Sequence, residues 1–437
     1  MNHIDDNRSV WMAVQPPRSP APPLRGETTA DLAIIGAGFT GMSTAYHVGR
    51  RFPDRRVVLL EAKVLANGAS GRNGGLMLNW INGVPSVEPG LTSRVYACTR
   101  DGIDGIEAII KEHALPVRYG REGCLEVYTD AARAEEAHRK TEKLRSWGIP
   151  VKYLQGQALT SRLRARGAVG AVLDPTAGRI NGVDLVRGMA GVLGGNVEIY
   201  ENTPVTRIEE GGTCTLSTPE GVVRAKAIVL ATNGYTARLG YFRGGIFPLH
   251  SHVLATEPLS PAQREAAGWG ANAGFSDDMD RIAYGGITED GALVFGGGSN
   301  ASYGYRYGGQ VAWAGSAESG FAAVRRRLLE LFPGAEPLAV AHRWTGTLGI
   351  TLSRNCTMGV RGEHRNVYYA LGYSGHGVTL ANLAGRVLCD VYSGDDARWR
   401  ELPFYDHRLA WIPPDPFRWA GYHFYTSITG RSPRRAA

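Results

Sequence analysis

Lysine is scarce in this 437-residue chain, occurring only at positions 63, 111, 140, 143, 152 and 226. The net charge of +7 is therefore carried almost entirely by arginine. Long cationic runs are absent too: only "RRR" at 325–327 and the final "RSPRRAA" cluster. Nucleic-acid binders concentrate charge on one face or stripe, so no nucleic-acid partner is expected. No apolar run approaches the roughly 18 residues needed to cross a bilayer, so no membrane partner is expected either. The five cysteines (98, 124, 214, 356 and 389) are odd in number and contain no CxxC pair. That excludes a disulfide framework and a zinc cluster, and no metal site is expected. Scattered thiols and the lack of a secretory leader predict a cytoplasmic protein.

With 43% hydrophobic and 20% charged residues, the chain is globular and long enough for two domains. Residues 1–27, rich in proline and polar side chains, read as an irregular arm. "DLAIIGAGFTGMSTAYHVGRRF" then gives a strand, a glycine turn and a helix, and "RRVVLLEA" (55–62) a second buried strand: a βαβ unit. Helices are predicted around "DGIDGIEAIIKEH" and "DAARAEEAHRKTEKLRSW", with a strand at 124–130 between them. A hairpin around "TPEG" leads into a buried parallel strand, "AKAIVLAT". From about 242 to 343 alternating strands predict an antiparallel sheet covered by a helix, "SGFAAVRRRLLELF". A strand, glycine loop and helix return in "RNVYYALGYSGHGVTLANLAGRVLCDVYSGD". The expected fold is thus mixed α/β. A discontinuous dinucleotide domain (28–90, 171–241 and 342–400) carries a parallel sheet. A second domain (91–170 and 242–341) carries an antiparallel one, and an aromatic tail (401–437) docks on the protein.

Gly36, Gly38 and Gly41 form G-x-G-x-x-G between strand and helix, and Glu61 ends the next strand. The first glycine permits the tight turn, the second lets backbone approach a pyrophosphate, and the third lets helix and strand pack closely. The helix N-terminus offers N–H groups to phosphates, and Glu61 accepts from ribose hydroxyls. This pattern serves NAD and FAD alike.

Three further stretches separate them: "GASGRNGG" (68–75), "VVRAKAIVLATNGYT" (222–236) and "NVYYALGYSGHGVTLANLAGRVL" (366–388). With the βαβ unit, and with "HVLATEPL" and "WTGTLGITLSRNCTMG", they resemble the D-amino-acid oxidase-like family of FAD-dependent oxidoreductases. The resemblance is greatest to amine-oxidising members similar to γ-glutamylputrescine oxidase. It implies a GR2-type Rossmann-like FAD domain plus a substrate domain. It also implies that Gly36, Gly38, Phe39, Thr40 and Gly41 cradle the pyrophosphate, with Glu61 and Ala62 at the ribose. Ser70, Arg72, Asn73, Gly74 and Gly75 would pass beside diphosphate and isoalloxazine, the Arg-Asn pair supplying polar contacts. Val205 would meet adenine, and Thr232 and Gly346 would also touch the cofactor. Gly372, Gly375, His376, Gly377 and Thr379 would face the flavin pyrimidine, where a helix N-terminus stabilises negative charge.

Relatives that bind flavin covalently use a cysteine in the segment matching 344–352 or a histidine matching the Arg72 region. Neither is present and Cys356 falls too late, so FAD is expected to be non-covalent. Relatives that use O₂ rapidly place a lysine in a strand aligning with "GALVFGGG", where this chain has Val294. The electron acceptor is thus O₂ by another device, or a different molecule.

The implied reaction removes hydride from the carbon beside an amine nitrogen, leaving an imine that hydrolyses to a carbonyl and a free amine. The small-molecule amine must be neutral when hydride leaves, through a base or through surroundings that lower its pKa. His376 is the candidate polar group at the flavin, for proton transfer or for orienting its own loop. Tyr284 and Tyr373 are candidate walls that hold an amine cation. His250 and His252 share one strand face but lack further ligands for a metal. An α-amino-acid oxidase or dehydrogenase is the rival enzyme, with Arg281 or Arg306 taking the carboxylate; a non-catalytic flavin-binding protein is the rival outside enzymes.

Overall fold

The computed structural model describes residues 8–313 and 317–429 and contains two large sheets. Gly26–Ile35 is the spine of the first sheet, pairing in parallel with Val57–Leu60 on one side and Gly221–Leu230 on the other. Val197–Tyr200 extends the sheet beyond Val57–Leu60. Gly221–Leu230 is met on its outer side by Cys214–Ser217 along its first half and Val367–Leu371 along its second. The paired ends Leu32–Ile35, Val57–Leu60 and Ala227–Leu230 are all buried, as strands covered on both faces must be. The helix Phe39–Arg51 closes the crossover, ending on Arg50 and Arg51, whose charges suit a helix C-terminus. It packs against the long helix Gly377–Ser393, which stops at Gly394 with φ +78°.

The second sheet is mixed. Phe247–Pro258 is its longest strand, flanked by Val340–Ile350 and Ala292–Gly297, and the order continues through Ala283–Ile287, Gly274–Asp277, Cys124–Tyr128, Gly170–Asp174 and Lys152–Leu154. All its pairings are antiparallel except Gly274–Asp277 on Cys124–Tyr128, which is parallel. A separate aromatic core of Trp269, Phe275, Phe295 and Phe332 lies against it.

Three expectations need correction. The sequence boundaries assign 171–241 and 342–400 to the dinucleotide domain, but Gly170–Asp174 and Val340–Ile350 pair within the second sheet. A buried strand has the same alternation whichever sheet it joins, and only its partner decides. The arm 1–27 is not irregular throughout: Val10–Ala13 is helical, capped by Ser9, with Val10 and Trp11 buried. The aromatic tail forms a helix, Phe417–Thr429, that docks by one face only. Among the described residues no helix is long and apolar enough to cross a membrane.

Candidate active site

The first strand delivers the chain into a turn that only glycine fits. Gly36 has φ +102°, and its N–H donates to the Leu60 carbonyl at 2.7 Å. A Cβ there would lie 2.8 Å from the Ala231 carbonyl oxygen, one on Gly38 2.7 Å from Ser70 Oγ, and one on Gly41 only 1.8 Å from the Gly36 carbonyl oxygen. Gly38 caps the helix without a side-chain hydrogen bond, and Phe39 N donates to Ser70 Oγ at 2.9 Å. The next first-turn N–H groups therefore have no capping side chain. Glu61 closes this end: its carboxylate accepts from Ala37 N at 2.9 Å and Lys63 N at 3.0 Å, while loss of solvent raises its pKa. Beside it, buried Glu201 accepts from Leu65 N, Ala21 N and Arg18, tying the arm to the edge of the site.

One cavity of about 1320 Å³ runs from this end to the second sheet. Gly36, Gly38, Phe39, Thr40, Glu61, Ala62, Ser70, Arg72, Asn73, Gly74, Val205, Thr232, Tyr284, Gly346, Tyr373, Gly375, His376 and Gly377 all line it. Gly41, Gly75, Gly372 and Thr379 do not: they stand one layer behind, shaping the backbone that does. Thr379 is fully buried and its Oγ1 has no hydrogen-bond partner among the described residues, while Gly372 N donates to Asn233 Oδ1 at 3.0 Å.

The loop at 68–75 is held by its own polar side chains. Arg72, buried at 5% exposure, donates from Nε to the Asn67 carbonyl (2.6 Å) and from Nη1 to the Thr345 carbonyl (3.2 Å). Asn73 donates to the Ala69 and Ser70 carbonyls and accepts from Gly75 N. These contacts fix the Arg-Asn pair within its own loop, at the wall of the cavity. Three residues outside the loop brace it further. Ser9 Oγ donates to the Gly71 carbonyl (2.5 Å), Trp11 Nε1 to that of Asn73 (2.7 Å) and Trp344 Nε1 to that of Arg72 (2.9 Å). Sequence reasoning missed all three; an N-capping serine before "VWM" was the available signal.

At the far end, Tyr284 stands over Gly74, where a Cβ would come within 2.6 Å of the ring. Its hydroxyl shares a hydrogen bond with Ser251 at 3.0 Å, and burial pushes the phenol up to about 12. It is therefore a neutral group at ordinary pH. Tyr373 is different: burial raises it as well, but its hydroxyl is bonded to Thr40 Oγ1 at 2.7 Å, clamping the 372–377 loop to the helix Phe39–Arg51. His376 is the N-cap residue of Gly377–Ser393, at the cavity wall, and its N–H donates to the Tyr373 carbonyl. Ser251, Tyr303, Leu348 and Tyr425, all missed from sequence, complete this end. Val294 is buried in the core, paired with Ala255, and does not line the cavity.

His250 and His252 point to the opposite face of the strand from Ser251. His250 Nε2 bonds the Gln310 carbonyl, His252 Nδ1 bonds Thr345 Oγ1, and both pack edge-on to Trp313. Burial lowers His252 to about 4, so it is neutral. Among the described residues no three potential ligands cluster as a metal site.

A flat dinucleotide fits this donor set: bare glycine backbone and two uncapped helix N-termini at one cavity, with a carboxylate at its end. The comparisons with known proteins identify the class. The family model "FAD dependent oxidoreductase" (DAO) matches residues 31–391, and the chain belongs to that family. It is an enzyme, and FAD is its cofactor. It is 30% identical over 424 residues to gamma-glutamylputrescine oxidoreductase of Escherichia coli (strain K12), spanning 93% of this chain and 95% of the relative. Glycine oxidase of Geobacillus kaustophilus is 23% identical over 86% of this chain and 96% of its own. The crystal structure of glycine oxidase from that organism superposes with a TM-score of 0.73 at 19% identity, covering 87% of this chain and 99% of the other.

Proposed function

We propose that the enzyme oxidises the C–N bond of a small amine, and that the continuous cavity joining Glu61 to Tyr284 carries this reading. When bound, FAD supplies the hydride acceptor, and the resulting imine takes up water to give a carbonyl compound and a free amine. The chain's own part is positioning and desolvation. The first turn of Phe39–Arg51 would hold the diphosphate, Glu61 the ribose, and Val205 the adenine through its backbone. The Gly377–Ser393 N-terminus, with His376 at its cap, would stabilise negative charge on the flavin, and His376 would act by orienting its loop.

The amine would lie against Tyr284, between Gly74, Ser251, Tyr303 and Gly346. None of these five wall residues carries a carboxylate, so burial against them disfavours an ammonium and lowers the pKa of a bound amine, while Glu126 and Asp280 elsewhere on the cavity wall would oppose that shift for an amine that reached them. A neutral phenol at Tyr284 donates or accepts a hydrogen bond but does not serve as the base. Arg72 occupies the position of a possible covalent link and Cys356 lies outside the cavity, which supports non-covalent FAD. Five free thiols support a cytoplasmic location.

One observation favours a second reading. Arg281 is 7% exposed, no carboxylate among the described residues pairs with it, and its Nη2 has no hydrogen-bond partner. It lies under Tyr425, 5.5 Å from the ring centre, and would receive the carboxylate of an amino acid if that ring moved. Arg306 is instead engaged with the Ala312 carbonyl and the Trp313 ring. Anaerobic mixing of the holoenzyme with amines and with α-amino acids decides between the two. Flavin bleaching by amines alone supports the proposal, and bleaching confined to amino acids and lost in Arg281→Gln replaces it with the second reading.

A further inference from the structure

Four strands of the second sheet each set one residue into a row that crosses the sheet. Tyr284 pairs with Ser276, Ser276 with Glu126, and Glu126 with Val172. Residues paired in this way put their side chains on one face. Each of the four is half-buried, while the residues on either side of it in its strand are buried. Phe275, Leu125 and Leu173 are among those neighbours, and they belong to the aromatic core behind the sheet. The row itself faces the cavity, and all four residues line it. Adjacent strands lie about 4.8 Å apart, so the row carries the cavity floor about 14 Å from Tyr284. A C–N bond held at Tyr284 needs none of that length.

The far end of the row is hydrocarbon. Val172 joins a small cluster of Tyr96, Ile149 and Val151, with Trp80 and Leu144 packed against it. These six residues line the cavity as well. The neighbouring carboxylate is occupied by the protein. Asp174 accepts at Oδ1 from the Tyr96 hydroxyl and Thr176 N, both at 2.9 Å, and at Oδ2 from Asn79 Nδ2 at 3.2 Å. Those bonds fix the Tyr96 ring in the cluster and use the acceptors that a distal ammonium would need. Midway along the row, Glu126 accepts from the Tyr128 hydroxyl at 2.8 Å. Glu136 and Lys140, also on the cavity wall, are exposed.

We propose that the substrate is an amine bearing a long apolar substituent, with its C–N bond against Tyr284 and its far end buried in this cluster. The inference rests on the amine reading of the Tyr284 end and adds what is attached to that amine.

Unbranched primary amines from propylamine to decylamine, mixed anaerobically with the holoenzyme, test it through two separate readouts. Perturbation of the flavin spectrum reports binding, and bleaching reports oxidation. Affinity should change little among the shortest amines, then tighten about fourfold per methylene once the chain reaches the cluster. Val172→Thr and Leu144→Asn place polar atoms there, and each should lower the ratio of decylamine to propylamine affinity roughly tenfold. Flavin content and melting temperature show whether the variants are folded, and the wild-type series stands without them. Affinity that does not rise with chain length overturns the proposal, as does a rise that both folded variants leave intact. Bleaching at every length with no gradient in affinity overturns this proposal and leaves the amine reading standing. Graded binding with no bleaching overturns the amine reading and leaves the apolar site standing.

Discussion

Toward the Glu61 end of the cavity Gly36 and Gly41 are crowded by backbone oxygens, whereas at the Tyr284 end Gly74 and Gly296 are crowded by one side chain. A Cβ on Gly41 meets the Gly36 carbonyl oxygen at 1.8 Å, and neither atom can leave without dismantling the turn. A Cβ on Gly74 or Gly296 meets the Tyr284 side chain, at 2.6 and 2.7 Å, and that side chain is replaceable. The cofactor half is thus specified by what must be missing, and the substrate half by what happens to be present. A family can keep the first and vary the second, so one fold accommodates relatives named for different amines.

The largest effect should come from Gly41→Ala. The added methyl has no rotamer to adopt and no movable neighbour, so overpacking costs at least ~3 kcal/mol. The expected result is protein that purifies without flavin absorbance or not at all, and no second substitution of a side chain should restore it. Flavin retained at wild-type level would break the contrast between the two ends.

Acid should act on both halves of the molecule through one desolvated histidine each. His47 lies in the helix Phe39–Arg51 and His252 in the second sheet, and burial lowers both to about 4. Below about pH 6.5 the unfolded chain takes up protons that these folded sites refuse, so stability falls as pH drops from about 6.5 to about 4. The loss is on the order of 3 kcal/mol per site, levelling off below the folded value. Melting temperature against pH checks this: His252→Asn and His47→Asn should each flatten part of the acid slope, by similar amounts.

How much of this was legible in the sequence follows from the same contrast. The spacing of Gly36, Gly38 and Gly41 before an acid encodes a backbone shape directly, so that end could be read residue by residue. Arg72 and Asn73 were legible as cavity residues, but their bonds to the loop's own carbonyls were not. A buried donor in a glycine loop reads the same whether it serves a ligand or the loop's own carbonyls. Gly170–Asp174 and Val340–Ile350 were put in the wrong sheet because pairing over long sequence separation leaves no local trace. Ser251 and Tyr303 reach the cavity only through their register against Gly346 and each other, which no single segment reveals.

Gly74→Ala should be milder than Gly41→Ala and, unlike it, reversible. Alone it should cost about 1–3 kcal/mol by pushing the Tyr284 ring off its position. Combined with Tyr284→Val, which removes the ring, the added methyl should cost little, giving a coupling energy of about 0.5–3 kcal/mol in a double-mutant cycle of thermal stability. Simple additivity of the two changes would mean that the loop itself, rather than the tyrosine, resists a side chain at position 74.

The smallest effect sits where the two ends meet, at the loop that the N-terminal arm braces. Trp11→Phe keeps the buried ring but deletes the N–H that the Asn73 carbonyl accepts at 2.7 Å. A partly buried carbonyl left without its donor costs about 1–2 kcal/mol. Because Asn73 lies at the cavity wall, that cost should appear in FAD affinity as well as in stability. The expected outcome is a fivefold to thirtyfold weaker FAD dissociation constant, measured by flavin fluorescence on dilution, with turnover at saturating FAD close to wild type. A Trp11→Phe enzyme that melts earlier but holds FAD as tightly as before would confine the arm to a purely structural role. The brace between Ser9, Trp11 and the 68–75 loop would then belong to folding and not to cofactor retention.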